Sequence, residues 1–326
     1  MPELWKECPL EKRYYTLDRA LKDLFGKKTA KLSLDGGMTC PNRDGTKGVG
    51  GCLFCGEKGS GDFTDRGSLA NQLEAQAKIL RRKWKEPVFI AYFQSFSNTY
   101  APLERLRALW EEALLFEGVQ GLAVATRCDC LPEDVLELLD EFNQRTFVWV
   151  ELGLQTACDP TGARLNRGFS TDDFDKSVKN LSQRGIRTVA HLIAGLPGEG
   201  REDFLKSVSH VSHLPIWGVK LHMLHVLKDS PLFNLYRNEP FSLPDKETYG
   251  EWVCDALELL RPDIVIHRLT GDGKKENLEA PLWTLDKLSV ITEIDREMNR
   301  RNSRQGLKSN SPDLSWGIEG PETPII

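Results

Sequence analysis

Three cysteines stand together in a glycine-rich stretch, D-G-G-M-T-C-P-N-R-D-G-T-K-G-V-G-G-C-L-F-C-G, over residues 35–56. They are Cys40, Cys52 and Cys55, in the spacing C-x11-C-x2-C. Thiolates are soft ligands for iron and zinc, and the surrounding glycines let the backbone turn tightly and aim N–H groups at sulfur. A structural zinc site takes four protein ligands, and this stretch holds no fourth Cys or His. Three thiolates suit a cubane iron–sulfur cluster with one iron left to a small molecule. A zinc site completed by a distant His, or three unligated buried thiols, are the alternatives.

The elements that must position these thiols follow a regular rhythm. T-A-K-L-S-L-D (29–35) reads as a first strand and 68–83 as a helix with Leu69, Leu73, Ala77 and Leu80 on one side. Further strands are expected over 88–94, 118–126, 146–154, 186–195 and 217–226, with 263–269 closing or flanking the sheet. Helices are expected over 102–116, from Pro132, from Ser170 or Thr171, over 201–210 and over 245–260. Strict strand–helix alternation demands a parallel sheet with helices outside, either open and doubly wound or a full or partial barrel. No G-x-G-x-x-G follows an early strand, which argues against a dinucleotide fold. The thiol loop leaves the carboxyl end of the first strand, where barrel sites lie.

Bulk properties bound the rest. The chain has 326 residues, 40% hydrophobic and 28% charged, as expected of a globular protein with a sizeable core. Residues 1–20 show no secretory pattern, and no run is long and apolar enough to cross a membrane. Eight cysteines are too sparse for a disulfide scaffold, so reduced thiols and a cytoplasmic location are expected. The net charge of −5 gives no global attraction to nucleic acid. The organisation expected is an N-terminal extension (1–28), the barrel (29–270), a C-terminal segment with a basic helix (271–309) and a poorly ordered Pro/Gly/Ser-rich tail (310–326).

The triad, with aromatic Phe54 before its last cysteine, resembles the cluster loop of the radical S-adenosylmethionine (SAM) superfamily. C-P-N-R-D-G with G-G-C-x-x-C is similar in particular to the YtqA/YhcC group, related to the elongator-type and coproporphyrinogen-dehydrogenase branches. A-T-R-C-D-C-L-P (125–132), V-E-L-G-L-Q-T (150–156), N-R-G (166–168), H-L-I-A-G-L-P-G-E (191–199), V-K-L-H-M-L-H-V-L-K (219–228) and H-R-L-T-G-D-G (267–273) fit the same group. The resemblance implies an α/β fold, a partial (βα)6 TIM-type barrel with parallel strands. It also implies a [4Fe-4S] cluster on Cys40, Cys52 and Cys55, with S-adenosyl-L-methionine chelating the open iron.

Residue by residue, the resemblance gives Gln155 and Arg167 to the ribose and the methionyl carboxylate, and places a polar residue, here His191, near the adenosine. Phe54 belongs to the same cofactor pocket. Gln94 ends the second strand, where relatives carry small Gly-rich residues for the methionyl amine. Arg127 is a partner for cofactor or substrate anions. Alternation along 147–155 points Glu151 and Gln155 to one face. Glu151, Lys220 and His222 are the catalytic candidates, against a salt-bridged structural role for each. Cys128 and Cys130 could bind a second metal, but no further ligands cluster near them.

The group is linked with modification of the tRNA wobble-uridine side chain, from carboxymethylaminomethyl toward aminomethyl. That makes tRNA the expected partner, beside a reductant such as flavodoxin or ferredoxin. Arg296, Arg300 and Arg304 at i+4 steps, with Arg301 beside them, form a candidate basic stripe for nucleic acid if helical. A small carboxylic acid as substrate, or a non-catalytic cluster or zinc protein, are the competing readings.

Overall fold

Hydrophobic periodicity switches between two and 3.6 residues along the chain, and the elements switch with it. A computed structural model describes residues 12–59, 67–271, 273–312 and 314. In chain order these residues form α1 (Leu17–Phe25), β1 (Thr29–Leu34), α2 (Leu69–Lys83), β2 (Val88–Phe93), α3 (Leu103–Leu114) and β3 (Val119–Thr126). Next come α4 (Glu133–Arg145), β4 (Phe147–Gln155), α5 (Asp159–Arg164), α6 (Thr171–Gln183), β5 (Arg187–Ala194), α7 (Arg201–Ser212) and β6 (Gly218–Met223). The chain closes with β7 (Val226–Leu227), α8 (Pro231–Asn238), α9 (Lys246–Leu259), β8 (Val265–Arg268), β9 (Leu278–Ala280) and α10 (Lys287–Arg300). The expected tail lies largely outside the described residues, as does Cys8.

Seven parallel strands pair in the order β1-β2-β3-β4-β5-β6-β8, an open half-barrel with helices on its outer face. The segment 263–269 supplies the seventh strand through pairs such as Gly218 with Val265. The expected strand over 217–226 breaks after Met223, and β7 turns away to pair antiparallel with β9.

Residue parity divides each strand between two cores. Leu32, Leu34, Leu122, Val124, Val148, Val150, Leu152 and Leu154 face the helices, where Trp110, Phe142, Phe174 and Phe204 are buried. The concave face carries Ile90, Tyr92, Ala123, Phe147, Trp149 and Val189. Its amino-terminal end is sealed by α1, whose Ala20 and Leu21 pack against it with Trp217 and Val265. The aromatic floor is edge-packed, with Phe25–Phe147, Phe147–Trp149 and Phe147–Trp217 ring centroids 5.7, 5.8 and 5.6 Å apart.

Within the segment expected as an extension, α1 forms the floor of the barrel. Thr16 caps α1 by accepting from Arg19 N, and Gly26 ends it at φ 67°, where a Cβ would be strained. Just before the helix, Tyr15 O accepts from Ile266 N at 2.7 Å, which ties this segment to the edge of β8.

The basic stripe is corrected. Helix α10 ends at Arg300, so Arg304 lies beyond it and the i+4 series stops short. Arg296 bonds Glu293 at 2.7 Å, Arg300 bonds Glu297 at 2.6 Å, and Arg301 is held by Glu297 and Asp255, each at 2.6 Å. Neighbouring Gln305 donates to Arg261 O and Ile264 O at 2.8 and 2.7 Å, at the entry to β8. Arg304 thus sits beside the floor, at the end of the sheet opposite the thiol loop.

Leu21→Ala should remove about 2–5 kcal/mol of stability, because the floor beneath Trp149 cannot collapse onto the gap. Urea denaturation followed by tryptophan fluorescence measures this loss.

Candidate active site at the mouth and in the lumen of the half-barrel

The thiol loop caps the carboxyl end of β1 and is clamped from two sides. Asn42 Nδ2 donates to Asn166 O at 2.6 Å, while Asn166 Nδ2 donates to Gly51 O at 2.7 Å and Leu53 N to Leu165 O at 2.9 Å. Arg43 donates to Cys55 O and Gly56 O at 3.2 and 2.6 Å and lies over the Phe96 ring. Cys40, Cys52 and Cys55 are free and half-buried. The Cys52 thiol is drawn down to about 7 by its hydrogen bond with Cys55, then by Arg127 and the Asn42 amide 3.6 Å away, against the effect of burial. The same pairing and burial push Cys55 well up.

Rim residues divide into those open to the mouth and those already committed. Gln155 ends β4 at φ 64°, and a register shift there interrupts the alternation. Its side chain folds back over Gly153, where an added Cβ would stand 2.2 Å from the amide nitrogen, so the glycine makes room for it. Gln94 and Phe54 are half-buried, Phe54 against the core and Gln94 with its N–H donated to Leu34 O. Phe96 takes φ 60°, the left-handed conformation for which the Gly-rich form of this loop would be suited.

Arg167, expected at the methionyl carboxylate, is drawn into the protein. It is 1% exposed and spends four N–H donors inside the protein, on Leu154 O, Thr156 O, Phe169 O and Asp159. Its guanidinium thereby fixes the end of β4 that presents Gln155. Arg127 forms a two-pronged bond with Asp129 at 2.8 and 2.9 Å, and Asp129 also receives Lys47. Cys128 and Cys130 are buried beside this pair, and burial raises both thiols, Cys130 to about 12. Among the described residues, no group of three His, Cys, Asp or Glu could hold a single metal ion.

Below the rim the lumen holds a charged network. The Glu151 side chain is fully buried; one oxygen accepts from Trp149 Nε1 at 3.0 Å, and the other meets Tyr92 Oη at 2.7 Å, His191 Nε2 at 3.0 Å and Lys220 Nζ. Lys220 also donates to Tyr92 Oη at 3.0 Å. Burial would raise Glu151, but Lys220, Lys31 and His191 hold its carboxyl well below the usual range. Burial takes Lys220 down to about 7 and, with help from Lys220, His191 to about 4. His191 stacks on His222 with ring centroids 5.8 Å apart, and His222 Nε2 is buried without a partner. The structure thus joins Glu151, Lys220 and His191 in one contact set, with His222 beside them. Sequence reasoning passed over Tyr92 and Lys31; the signal was their place on the same strand face as the inward residues of β4.

Comparison with known proteins completes the picture. Residues 41–211 match the Radical SAM superfamily, and residues 216–300 match the Radical_SAM C-terminal domain. The chain belongs to the Radical SAM superfamily. It is 42% identical to YtqA of Bacillus subtilis (strain 168) over 298 residues, 91% of this chain and 92% of that protein. It is 36% identical to YhcC of Escherichia coli (strain K12), over 90% of this chain and 93% of that one. The solved structure of archaeal Methanocaldococcus infernus Elp3 shares the fold at TM-score 0.64 and 15% identity, covering 85% of this chain and 64% of that one.

Membership of the Radical SAM superfamily implies a [4Fe-4S] cluster and S-adenosylmethionine, and the donor set fits them. A cluster needs thiolates, and Arg127 and the Asn42 amide favour that form at Cys52. Such a cluster would take one thiolate per iron, so the three need not converge on a single ion. Cys40, Cys52 and Cys55 would hold it. No helix among the described residues is long and apolar enough to cross a membrane.

Two outcomes follow for this radical SAM protein. Glu151→Gln should cost about 3–5 kcal/mol, because it strands the buried Lys220, and adding Lys220→Met should recover much of that loss. A urea double-mutant cycle measures both. His191 is depressed below its unfolded value of 6.5 to about 4, so the unfolded chain binds the extra proton between those values. Stability should therefore fall as pH drops from 6.5 to 4, and His191→Phe should remove about one proton from that slope.

Proposed function

We propose that this radical SAM enzyme modifies tRNA, converting a carboxymethylaminomethyl group on the wobble uridine to aminomethyl. The observation that carries the reading is the alignment of two features along one axis. The thiol loop caps the mouth, and directly below it lies a lumen sealed by α1 and holding the Glu151–Lys220–His191 network. When bound, the cluster and S-adenosylmethionine supply a 5′-deoxyadenosyl radical by one-electron reductive cleavage, with flavodoxin or ferredoxin as the electron source.

The chain's own residues do the rest. Cys40, Cys52 and Cys55 hold the cluster, and Phe54, Gln94 and Gln155 border the cofactor, Gln155 reaching the ribose from the end of β4. Arg167 keeps that strand end in place, and Arg127 keeps a positive charge near the thiolates. The aromatic floor excludes water from below, which protects a reactive species. Lys220, whose charge burial opposes, holds a mobile proton at Nζ, while Glu151 stays anionic and orients both Lys220 and His191.

The tRNA reading rests on the resemblance of the cysteine loop and its companion motifs to the YtqA/YhcC group, to which the chain is similar over about nine-tenths of its length. The Arg296–Arg304 region does not contribute to it, since three of its four arginines are internally paired.

The test is anaerobic reconstitution with iron and sulfide, then reduction with S-adenosylmethionine present. Wild type should form 5′-deoxyadenosine, and the Cys40→Ala, Cys52→Ala, Cys55→Ala variant should form none. Bulk tRNA from cells lacking the enzyme should stimulate formation several-fold. Cleavage without stimulation would shift the substrate to a small carboxylic acid. No cleavage with a confirmed four-iron cluster would overturn the enzymatic reading.

A further inference from the structure

Asn42 lies just past the first cysteine of the thiol loop and is 1% exposed, although it belongs to no helix or strand. The loop is built around its side chain. A Cβ on Gly48 would stand 2.2 Å from Asn42 Oδ1, and one on Gly168, which takes φ 79°, would stand 3.3 Å from the same oxygen. The backbone on either side is fixed as well. Lys47 N and Gly48 N donate to Pro41 O at 2.8 and 3.2 Å, and Gly51 N donates to Asn42 O at 2.7 Å. An amide enclosed in this way has one orientation and little freedom to leave it.

Which way it faces follows from its partner. The 2.6 Å contact with Asn166 O needs an N–H, since two carbonyl oxygens would repel, so the atom there is Nδ2. That nitrogen carries two hydrogens, and the Asn166 carbonyl takes one. Cys52 Sγ lies 3.6 Å from the same nitrogen and accepts the other, at the longer spacing that a sulfur acceptor requires. One donor would be enough to clamp the loop to Asn166. The second is spent on a thiol of the triad. The return clamp is a separate bond, from Asn166 Nδ2 to Gly51 O at 2.7 Å.

A hydrogen bond to sulfur does more for a cluster than hold a ligand. A thiolate acceptor makes the bond charge-assisted, and an added electron increases the negative charge on the sulfurs. The donor therefore stabilises the reduced form more than the oxidised one, which eases electron uptake. We propose that Asn42 is a positioning residue that raises the cluster's reduction potential through its Nδ2–H bond to Cys52. The proposal rests on Cys40, Cys52 and Cys55 holding the cluster, and is independent of the substrate.

The test is an anaerobic redox titration of the reconstituted protein followed by electron paramagnetic resonance, without S-adenosylmethionine. Asn42→Ala should retain its iron and shift the reduction equilibrium about tenfold toward the oxidised cluster, which is about 59 mV for a one-electron couple. Asn166→Gly suits the φ of 53° at that position, deletes the return clamp and keeps the carbonyl that orients Asn42. It should leave the potential at the wild-type value. In pulsed measurements, the reduced wild-type cluster should couple to isotope-labelled asparagine nitrogen and to a proton exchangeable in heavy water, and both signals should vanish in Asn42→Ala. An unchanged potential in Asn42→Ala, or an equal fall in Asn166→Gly, would overturn the proposal. Where Asn42→Ala takes up too little iron to titrate, absence of the asparagine coupling from the wild type would overturn it instead. Failure of the wild type to hold a four-iron cluster would overturn the cysteine assignment and this proposal with it. A lowered potential in Asn42→Ala without any stimulation by tRNA would support the role of Asn42 and count only against the wobble-uridine reading.

Discussion

A single buried carboxylate organises the interior of this protein. Glu151 lies midway along the central strand of the sheet, fully enclosed, and reaches Trp149 below, Tyr92 and Lys220 to the sides and His191 above. A charge in that position survives only when its lone pairs are filled, so four side chains from β2, β4, β5 and β6 are fixed relative to one another. The apolar core on the helix side holds the strands together without specifying which polar groups meet in the lumen. Glu151 makes that choice. It also separates an aromatic floor from a polar mouth, which gives the barrel distinct dry and reactive levels.

The thiol loop obeys a different logic. It has little regular structure and takes its shape from clamps, Asn42 and Asn166 exchanging bonds across it and Arg43 gathering the carbonyls of Cys55 and Gly56. Asn166 and Arg167 are adjacent, yet one holds the loop and the other holds the end of β4. The N-R-G segment therefore sets the distance between the cluster ligands and Gln155.

Much of this was legible in the sequence, for identifiable reasons. Cysteine spacing and glycine content isolate the loop, and the two-residue period of β4 places Glu151 and Gly153 on the concave face. The family resemblance placed Arg167 at the cofactor carboxylate, and its internal partners were not legible, because the four acceptors that take up its donors come from its folded neighbourhood. The arginines of α10 were misread because Glu293 and Glu297, three residues before Arg296 and Arg300, neutralise them along the helix. Lys31 was overlooked because a lone lysine alternating with leucines reads as a solvent-facing residue until the curvature of the sheet shows that face to be inside. The floor helix α1 carried its own cap signals at Thr16 and Gly26, but the cluster it packs into is scattered across β2, β3, β4, β5 and β8.

The two ends of the described chain are fastened together. Arg13 bonds Asn299 and Ser303, and Tyr15 N donates to Gln305, across separations of up to 290 residues. The barrel floor therefore cannot be locked until Ser303 and Gln305 have left the ribosome. The cysteine loop, by contrast, is complete once Cys55 has been made, long before them. Long-range closure is the slow kind of contact to form. The nascent chain thus passes through a stage in which the thiols are exposed and the lumen is open from beneath, and the time at which iron and sulfide are delivered becomes a matter of assembly order as much as of affinity.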